Sequence, residues 1–245
     1  MIRQTKMTVT ENISIARDIF RLRLSGDTSG IERPGQFVNL QLEGLFLRRP
    51  ISVCDWDSDT LTLIYKTVGK GTNQMSGLRP GAVLDLLSGL GNGYDTGLSG
   101  DHPLLLGGGV GVPPLYALAK QLIHEGKQVQ AVLGFRTGAD VFGAKELSAL
   151  GVETTVTTED GSLGQKGFVT DALPKEYSFF FACGPMPMLK AVWRACPTSG
   201  QLSLEERMGC GFGACMGCSI QTLSGPKRIC REGPVFRKED LPWNG

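Results

Sequence analysis

Four of the seven cysteines in this 245-residue chain stand close together: Cys210, Cys215, Cys218 and Cys230. Their spacing, C-x4-C-x2-C with a fourth Cys further on, is the plant-type arrangement that holds a [2Fe–2S] cluster. Thiolates are the ligands such a cluster needs, three from one tight loop and one from a returning segment. Gly209, Gly211, Gly213 and Gly217 alternate with the ligands. Lacking Cβ atoms, they let backbone N–H groups turn toward sulfur, which favours and tunes a negatively charged centre. Met208, Phe212 and Met216 are placed to shield it from water. The competing arrangement is a structural Zn(Cys)4 site, which usually uses two C-x2-C knuckles, whereas this segment has a single one. The other thiols, Cys54, Cys183 and Cys196, are scattered, and a disulfide framework would be out of place in a reducing compartment.

Three further motifs have chemistry in them. Arg49-Pro50-Ile51-Ser52 opens an apolar run and is followed by Gly69-Lys70-Gly71-Thr72. An arginine can pair with a pyrophosphate, and Ser52 can bond a flavin ring or its ribityl chain. Gly71 and Thr72 can offer N–H and hydroxyl donors to phosphate where a helix begins. Taken alone, the first tetrapeptide is also an ordinary strand start capped by a turn. Gly107-Gly108-Gly109-Val110-Gly111-Val112-Pro113-Pro114 joins a strand-like run to a helix-like one. Its glycines admit a dinucleotide pyrophosphate to the backbone, and its prolines suit a first helical turn. It departs from the G-x-G-x-x-G fingerprint, because Val112 stands at the third glycine, so a merely tight turn is the alternative. Cys183-Gly184-Pro185-Met186 closes the apolar run 178–182. Ligands of open α/β sheets bind beyond such strand ends; Gly184 leaves room for a flat nicotinamide ring and Cys183 can lie against it. A buried structural thiol is the bland reading.

The elements that must position these groups follow from periodicity. Residues 1–99 read as all-β: Phe20, Leu22 and Leu24, then Val38, Leu40 and Leu42, then Leu61, Leu63 and Tyr65 keep a two-residue period, with turn signals such as Pro34-Gly35 and Pro80-Gly81 between them. A small antiparallel barrel is expected there. Residues 100–200 alternate strand and helix. Strands are expected at 103–106, 128–135, 152–157 and 178–182, and helices at 115–123, 144–150 and 186–195, which makes a doubly wound parallel sheet. Residues 201–245 carry the cysteine cluster as a small subdomain with little periodicity.

Composition narrows the class. Glycine at 34 of 245 residues is about twice the usual ~7% share. Lys+Arg 25 against Asp+Glu 24 leaves a net charge of +1, which disfavours nucleic acid as a partner. The longest uncharged stretch, Pro103 to Ala119, is interrupted by glycine and proline and falls short of the roughly 20 residues of a membrane helix. No secretory signal precedes it, so no membrane role and a cytoplasmic location are expected.

In this order the motifs resemble the ferredoxin-reductase-like flavoproteins, a flavin barrel followed by a nicotinamide domain. The stretch Leu204-Glu205-Glu206-Arg207-Met208-Gly209-Cys210-Gly211-Phe212-Gly213-Ala214-Cys215-Met216-Gly217-Cys218 narrows the likeness to the electron-transfer subunits of dihydroorotate dehydrogenase B. The resemblance implies FAD on residues 1–99, NAD at the second domain and [2Fe–2S] in the tail. It places FAD contacts at Arg49, Pro50, Ile51 and Ser52, at Ile64, Tyr65 and Lys66, and at Gly71 and Thr72. NAD contacts fall on Gly108, Gly109, Gly111, Val112 and Pro113 and on Cys183, Gly184, Pro185 and Met186. It also implies a partner: an FMN-bearing catalytic subunit that oxidises dihydroorotate in pyrimidine (UMP) biosynthesis, in a heterotetramer. The same module could instead serve a sulfide dehydrogenase, a hydrogenase or a glutamate synthase-like complex, and a zinc-stabilised interaction module stands as the reading from another class. His102 and His124, the latter mid-helix, stand in no motif fit for acid–base work. Glu159-Asp160, after a strand, favours NAD over NADP by repelling a 2′-phosphate, while Arg136 argues the other way.

Replacing Cys230 with Ser separates the two half-reactions. Three thiolates and a weaker oxygen donor should hold the cluster poorly or not at all. Reduction of a dye that takes electrons directly from FAD should persist with NADH, while dihydroorotate-dependent NAD reduction collapses. A variant with an intact cluster signal and full coupled activity would refute the ligand assignment.

Overall fold

The computed structural model describes residues 2–243. The first six strands are β1 (Arg3–Ala16), β2 (Ile19–Ser25), β3 (Phe37–Leu40), β4 (Arg49–Trp56), β5 (Thr60–Lys66) and β6 (Val83–Leu90). They close an antiparallel barrel in the order β1-β2-β5-β4-β3-β6. Alternation decides which side chains go in: Leu61, Leu63 and Tyr65 of β5 are buried while the residues between them are half-exposed. Leu22, Leu24, Val38, Leu40 and Val53 fill the same interior. The barrel is thus plugged by its own side chains, and a flavin has to lie against its outer wall. The region is not wholly β: a short helix, α1 (Lys70–Ser76), sits between β5 and β6.

Seven strands form the second sheet. In chain order the elements are β7 (Pro103–Gly108), α2 (Pro113–His124), β8 (Gln130–Phe135), α3 (Ala144–Ala149), β9 (Glu153–Thr158), β10 (Gln165–Lys166), β11 (Phe179–Cys183), α4 (Met186–Ala195) and β12 (Gly200–Ser203). The tail adds the hairpin β13 (Ser219–Thr222) and β14 (Gly225–Arg228), then β15 (Val235–Arg237). Strand order is β10-β9-β8-β7-β11-β12-β15. From β7 the chain winds outward through β8 and β9, then returns to β11 on the other side, so the order reverses between β7 and β11. Phe179 and Phe181 enter the core on one face and Phe180 the core on the other, which explains a strand apolar at every position. His124 is the exposed last residue of α2 rather than a mid-helix residue.

The tail is built into the body. Strand β15 pairs antiparallel with β12, and the Asn92 side chain, in the link between barrel and sheet, donates to the carbonyl of Val235 at 2.7 Å and accepts from its N–H at 3.1 Å. Barrel and sheet are also clamped by ion pairs. Arg17 holds Asp140 through two hydrogen bonds of 3.0 Å, and Lys120 of α2 reaches Asp55 of β4 at 2.7 Å.

Stability should rest on the packed core rather than on these clamps. Phe181→Ala, which removes a fully buried ring edge-on to Tyr94, should cost about 3–5 kcal/mol. Asp140→Ala, breaking a pair whose arginine is 58% exposed, should cost less than about 1 kcal/mol. Urea midpoints of the two variants test the contrast.

Candidate functional site

The cysteine loop runs without regular structure from Glu205 to Gly217. Two turns demand glycine: Gly211 and Gly213 have φ of 78° and 94°. Cys210 Sγ accepts the Ala214 N–H at 3.3 Å, and Cys215 Sγ accepts the Cys210 N–H at 3.4 Å. Partial burial acts to raise the Cys210 thiol, yet N–H groups of Phe212, Cys215 and Ala214 and the Cys215 side chain bring it down to about 6. Cys230, delivered by the segment after β14, is pushed up to about 12 by burial, then by hydrogen bonding to Cys218 and by the charges of Cys218 and Cys210.

The structure therefore gathers all four thiols, as an inner buried pair, Cys218 and Cys230, and an outer pair, half-buried Cys210 and exposed Cys215. Four adjacent thiolates repel one another unless a cation neutralises them, so the donor set fits an iron–sulfur centre. The pairs come from two segments, the 210–218 loop and the stretch after β14, as the cysteine spacing requires. Arg228, ion-paired with Glu232, donates to the Gly213 carbonyl and so ties the hairpin to the loop. Met208 packs against the core, but Phe212 and Met216 are 42% and 55% exposed. The expected shielding by those two fails, because the loop turns them outward.

On the barrel wall, Arg49 crosses directly over α1: a Cβ on Gly71 would lie 2.1 Å from Arg49 Nε. A side chain there would have to displace the guanidinium. Thr72 has its hydroxyl engaged by the N–H groups of Val68 and Gly69 at 2.9 and 3.2 Å, which closes the turn ahead of α1. Pro50, Ile51 and Ser52 are half-buried. Of the other three, Tyr65 turns inward, where its hydroxyl donates to Asn12 Oδ1 at 3.1 Å; only its backbone is left for a ligand. Ile64 and Lys66 alternate to the outer side, and Ile64 packs against the core of the second sheet.

The two sheet motifs meet at the reversal point. A Cβ on Gly111 would lie 2.1 Å from the Cys183 carbonyl oxygen, and one on Gly184 would lie 3.1 Å from the Gly108 nitrogen. Gly109, at φ 50°, faces open space on its Cβ side. Val112, Pro113 and Pro114 are buried and lead into α2. Pro185 and Met186 start α4, with Pro185 exposed. The crevice lies beyond the carboxyl ends of β7 and β11, where open α/β sheets take their ligands. Cys183 is no nucleophile: burial pushes its thiol up to about 12. Ser203 and Tyr94 lie beside that thiol, and the Tyr94 hydroxyl donates to the Ala182 carbonyl at 3.3 Å; neither residue stands in a motif. Further along the edge, exposed Glu159 and Asp160 follow β9, and the Asp160 N–H reaches the Arg136 carbonyl at 3.4 Å. The Ser162 hydroxyl and N–H hold the Asp160 carboxyl below the usual range.

Known proteins share these features. Residues 205–242 match the model of the iron-sulfur cluster binding domain of dihydroorotate dehydrogenase B, and residues 105–194 that of the oxidoreductase NAD-binding domain. The chain is 45% identical to the dihydroorotate dehydrogenase B (NAD(+)) electron transfer subunit of Geobacillus sp. (strain WCH70), over 98% of this chain and 99% of that one. Identity to the subunit of the same name from Fusobacterium nucleatum is 41%, over 96% of each chain. Among solved structures, the NADH-dependent reduced ferredoxin-NADP oxidoreductase superposes with a TM-score of 0.88 at 31% identity, covering 97% of this chain and 90% of that one. A ferredoxin NADP+ reductase from Neisseria gonorrhoeae shares the fold, with a TM-score of 0.69 at 17% identity over 78% and 89% of the two chains.

Gly111→Ala tests the crevice. The added methyl must push the glycine loop off Cys183, so NADH should reduce the flavin more slowly by about tenfold or more. The paramagnetic signal of the reduced cluster, generated with dithionite, should stay as in the parent protein. Unimpaired NADH reduction would place the nicotinamide elsewhere.

Proposed function

Since the chain belongs to the family of dihydroorotate dehydrogenase B electron-transfer subunits, we propose that residues 1–99 hold FAD, residues 100–200 receive NAD and residues 201–245 hold a [2Fe–2S] cluster. The protein is the electron-transfer subunit of an NAD-dependent dihydroorotate dehydrogenase. Bound FAD would supply a group able to exchange electrons singly on the cluster side and as hydride on the NAD side. The observation that carries this reading is the four-thiol loop seated on a flavin-type barrel, beside a glycine-lined crevice at a sheet reversal point. A nicotinamide exchanges two electrons together and a [2Fe–2S] centre exchanges one, so a flavin between them is needed.

The chain's own residues bind and orient. Arg49 pairs with the pyrophosphate of FAD, admitted by Gly71, with Pro50, Ile51 and Ser52, the outer sides of Ile64 and Lys66, the Tyr65 backbone and Thr72 around the rest. Gly108, Gly109, Gly111, Val112 and Pro113 receive the NAD pyrophosphate, while Gly184, Pro185 and Met186 leave a slot for nicotinamide. Cys183, kept neutral, packs against that ring without placing a charge beside the hydride.

Deprotonation of a pyrimidine is not the task of this chain. His102 precedes β7 and His124 ends α2, both on the sheet edge opposite the crevice. Oxidation of dihydroorotate then belongs to the FMN of a catalytic partner subunit, in a heterotetramer of two chains of each kind. Exposed Phe212 and Met216, beside the outer thiols, suit the face toward that partner. Among the described residues no helix is long and apolar enough to cross a membrane, and the proposed location is the cytoplasm.

Purification with the native partner tests the assignment. Expected are a flavin-plus-cluster absorption spectrum, about one FAD and two iron atoms per chain, and reduction of NAD+ that depends on dihydroorotate. NADH should exceed NADPH in kcat/KM by about tenfold or more, since Glu159 and Asp160 repel a 2′-phosphate. A partner that leaves dihydroorotate untouched but oxidises sulfide, hydrogen or glutamate would transfer the module to the corresponding complex. A colourless, zinc-bearing protein would end the redox reading.

A further inference from the structure

Asn39 takes an outward position in the alternation of Val38, Leu40 and Leu42, where a polar side chain is expected to meet solvent. It is 1% exposed, on a strand whose residues are all buried. Its neighbours Val38 and Leu40 fill the barrel, so the Asn39 side chain turns to the outer wall, together with Phe37, which joins the core shared with the tail. There its Nδ2 donates to the Cys210 carbonyl at 3.1 Å, a bond between residues 171 positions apart. The cluster loop comes so near that a Cβ on Gly211 would lie 2.3 Å from Asn39 Nδ2. On the other side, Asn39 stands opposite Pro50 in the ladder, within the Arg49–Ser52 motif of β4. The Asn39 carbonyl accepts from Arg48 Nη1 at 3.2 Å. One residue thus touches the cluster loop and flanks the strand that carries the flavin motif. Its Oδ1 is buried and has no hydrogen-bond partner. An acceptor left unpaired in a buried place calls for an explanation in what the group does.

We propose that Asn39 is the positioning residue for electron transfer between the cluster and FAD. Its carboxamide fastens the Cys210–Gly211 peptide to β3, and the ladder fastens β3 to β4; the gap between the two redox centres is set through this chain of contacts. One electron leaves the reduced cluster, which is oxidised, and enters FAD. A second pass and one proton from solvent complete the reduced flavin, which passes hydride to NAD+. Leucine would fill the same space but release the Cys210 carbonyl and let the loop shift. Transfer of a single electron falls steeply with separation, so a small shift acts on its rate and leaves the hydride step alone. The inference rests on the assignment of cluster and flavin made above.

The experiment uses the full chain loaded with FAD and cluster, as parent protein and as Asn39→Leu and Asn39→Ser. NADH is mixed rapidly with each, and flavin bleaching is resolved in time from cluster bleaching. Flavin reduction by NADH should keep the parent rate, while the following cluster phase slows severalfold, because only the separation of the two centres has changed. The paramagnetic spectrum of the dithionite-reduced cluster should change in g values as the Cys210 peptide reorients. An unchanged cluster phase in both variants at full cluster content overturns the inference. So does equal slowing of both phases, and so does loss of the cluster from both variants, which would make Asn39 a holder of the loop and nothing more. A parent protein without flavin or cluster overturns the functional assignment instead, and is recognised before any variant is made.

Discussion

A single apolar cluster runs through every part of this molecule. It takes Phe37 and Leu90 from the barrel, Leu104, Leu106 and Phe180 from the parallel sheet, and Cys218, Ile229, Cys230 and Phe236 from the tail. Burial of that many large side chains is the main favourable term in the region, and it fixes three segments of chain against one another at once. The barrel wall, the glycine crevice and the thiols come into reach of each other because they border the same packed interior. Polar contacts such as the Asn92 bonds to Val235 then specify how the parts meet.

The thiols show what this arrangement does to charge. Cys218 and Cys230 are rooted in the apolar cluster, where burial favours the protonated form of Cys230. Cys210 sits in a nest of N–H groups that favours its thiolate. The binding site is therefore graded, with a dry anchored side toward the core and a polar side toward solvent. A centre held this way would turn one face to the packed interior and one to solvent.

Much of this was legible in the primary structure, and the gaps have physical reasons. The alternation of Leu61, Leu63 and Tyr65 marked a strand, and burial follows that alternation. Yet a period of two cannot say that an inward residue is unavailable to a cofactor, and Tyr65 shows the difference. Helix 186–195 and the apolar strand before it were readable because their patterns are unambiguous, and both stand where expected. Helix α1 spans seven residues, too short for a helical period to emerge, and its start is marked only by the Gly69–Thr72 motif. Strand β15 was equally unreadable: three residues carry no pattern, and its partner β12 lies more than thirty residues earlier. Asn39 was invisible as a functional residue because its outward position reads as solvent-exposed. The tail that covers it comes from the far end of the chain.

Strand order also has a temporal side. The barrel is closed by contacts within residues 3–90, so it can fold from one continuous stretch of chain. The sheet is different: its last strand, β15, ends at Arg237, and the Asn92 side chain finds its partner at Val235 only 143 residues later. The barrel can close before the four thiols are brought together. Cys218 and Cys230 belong to a core completed by β12 and β15, so the inner pair of thiols is fixed only when segments more than thirty residues apart have paired.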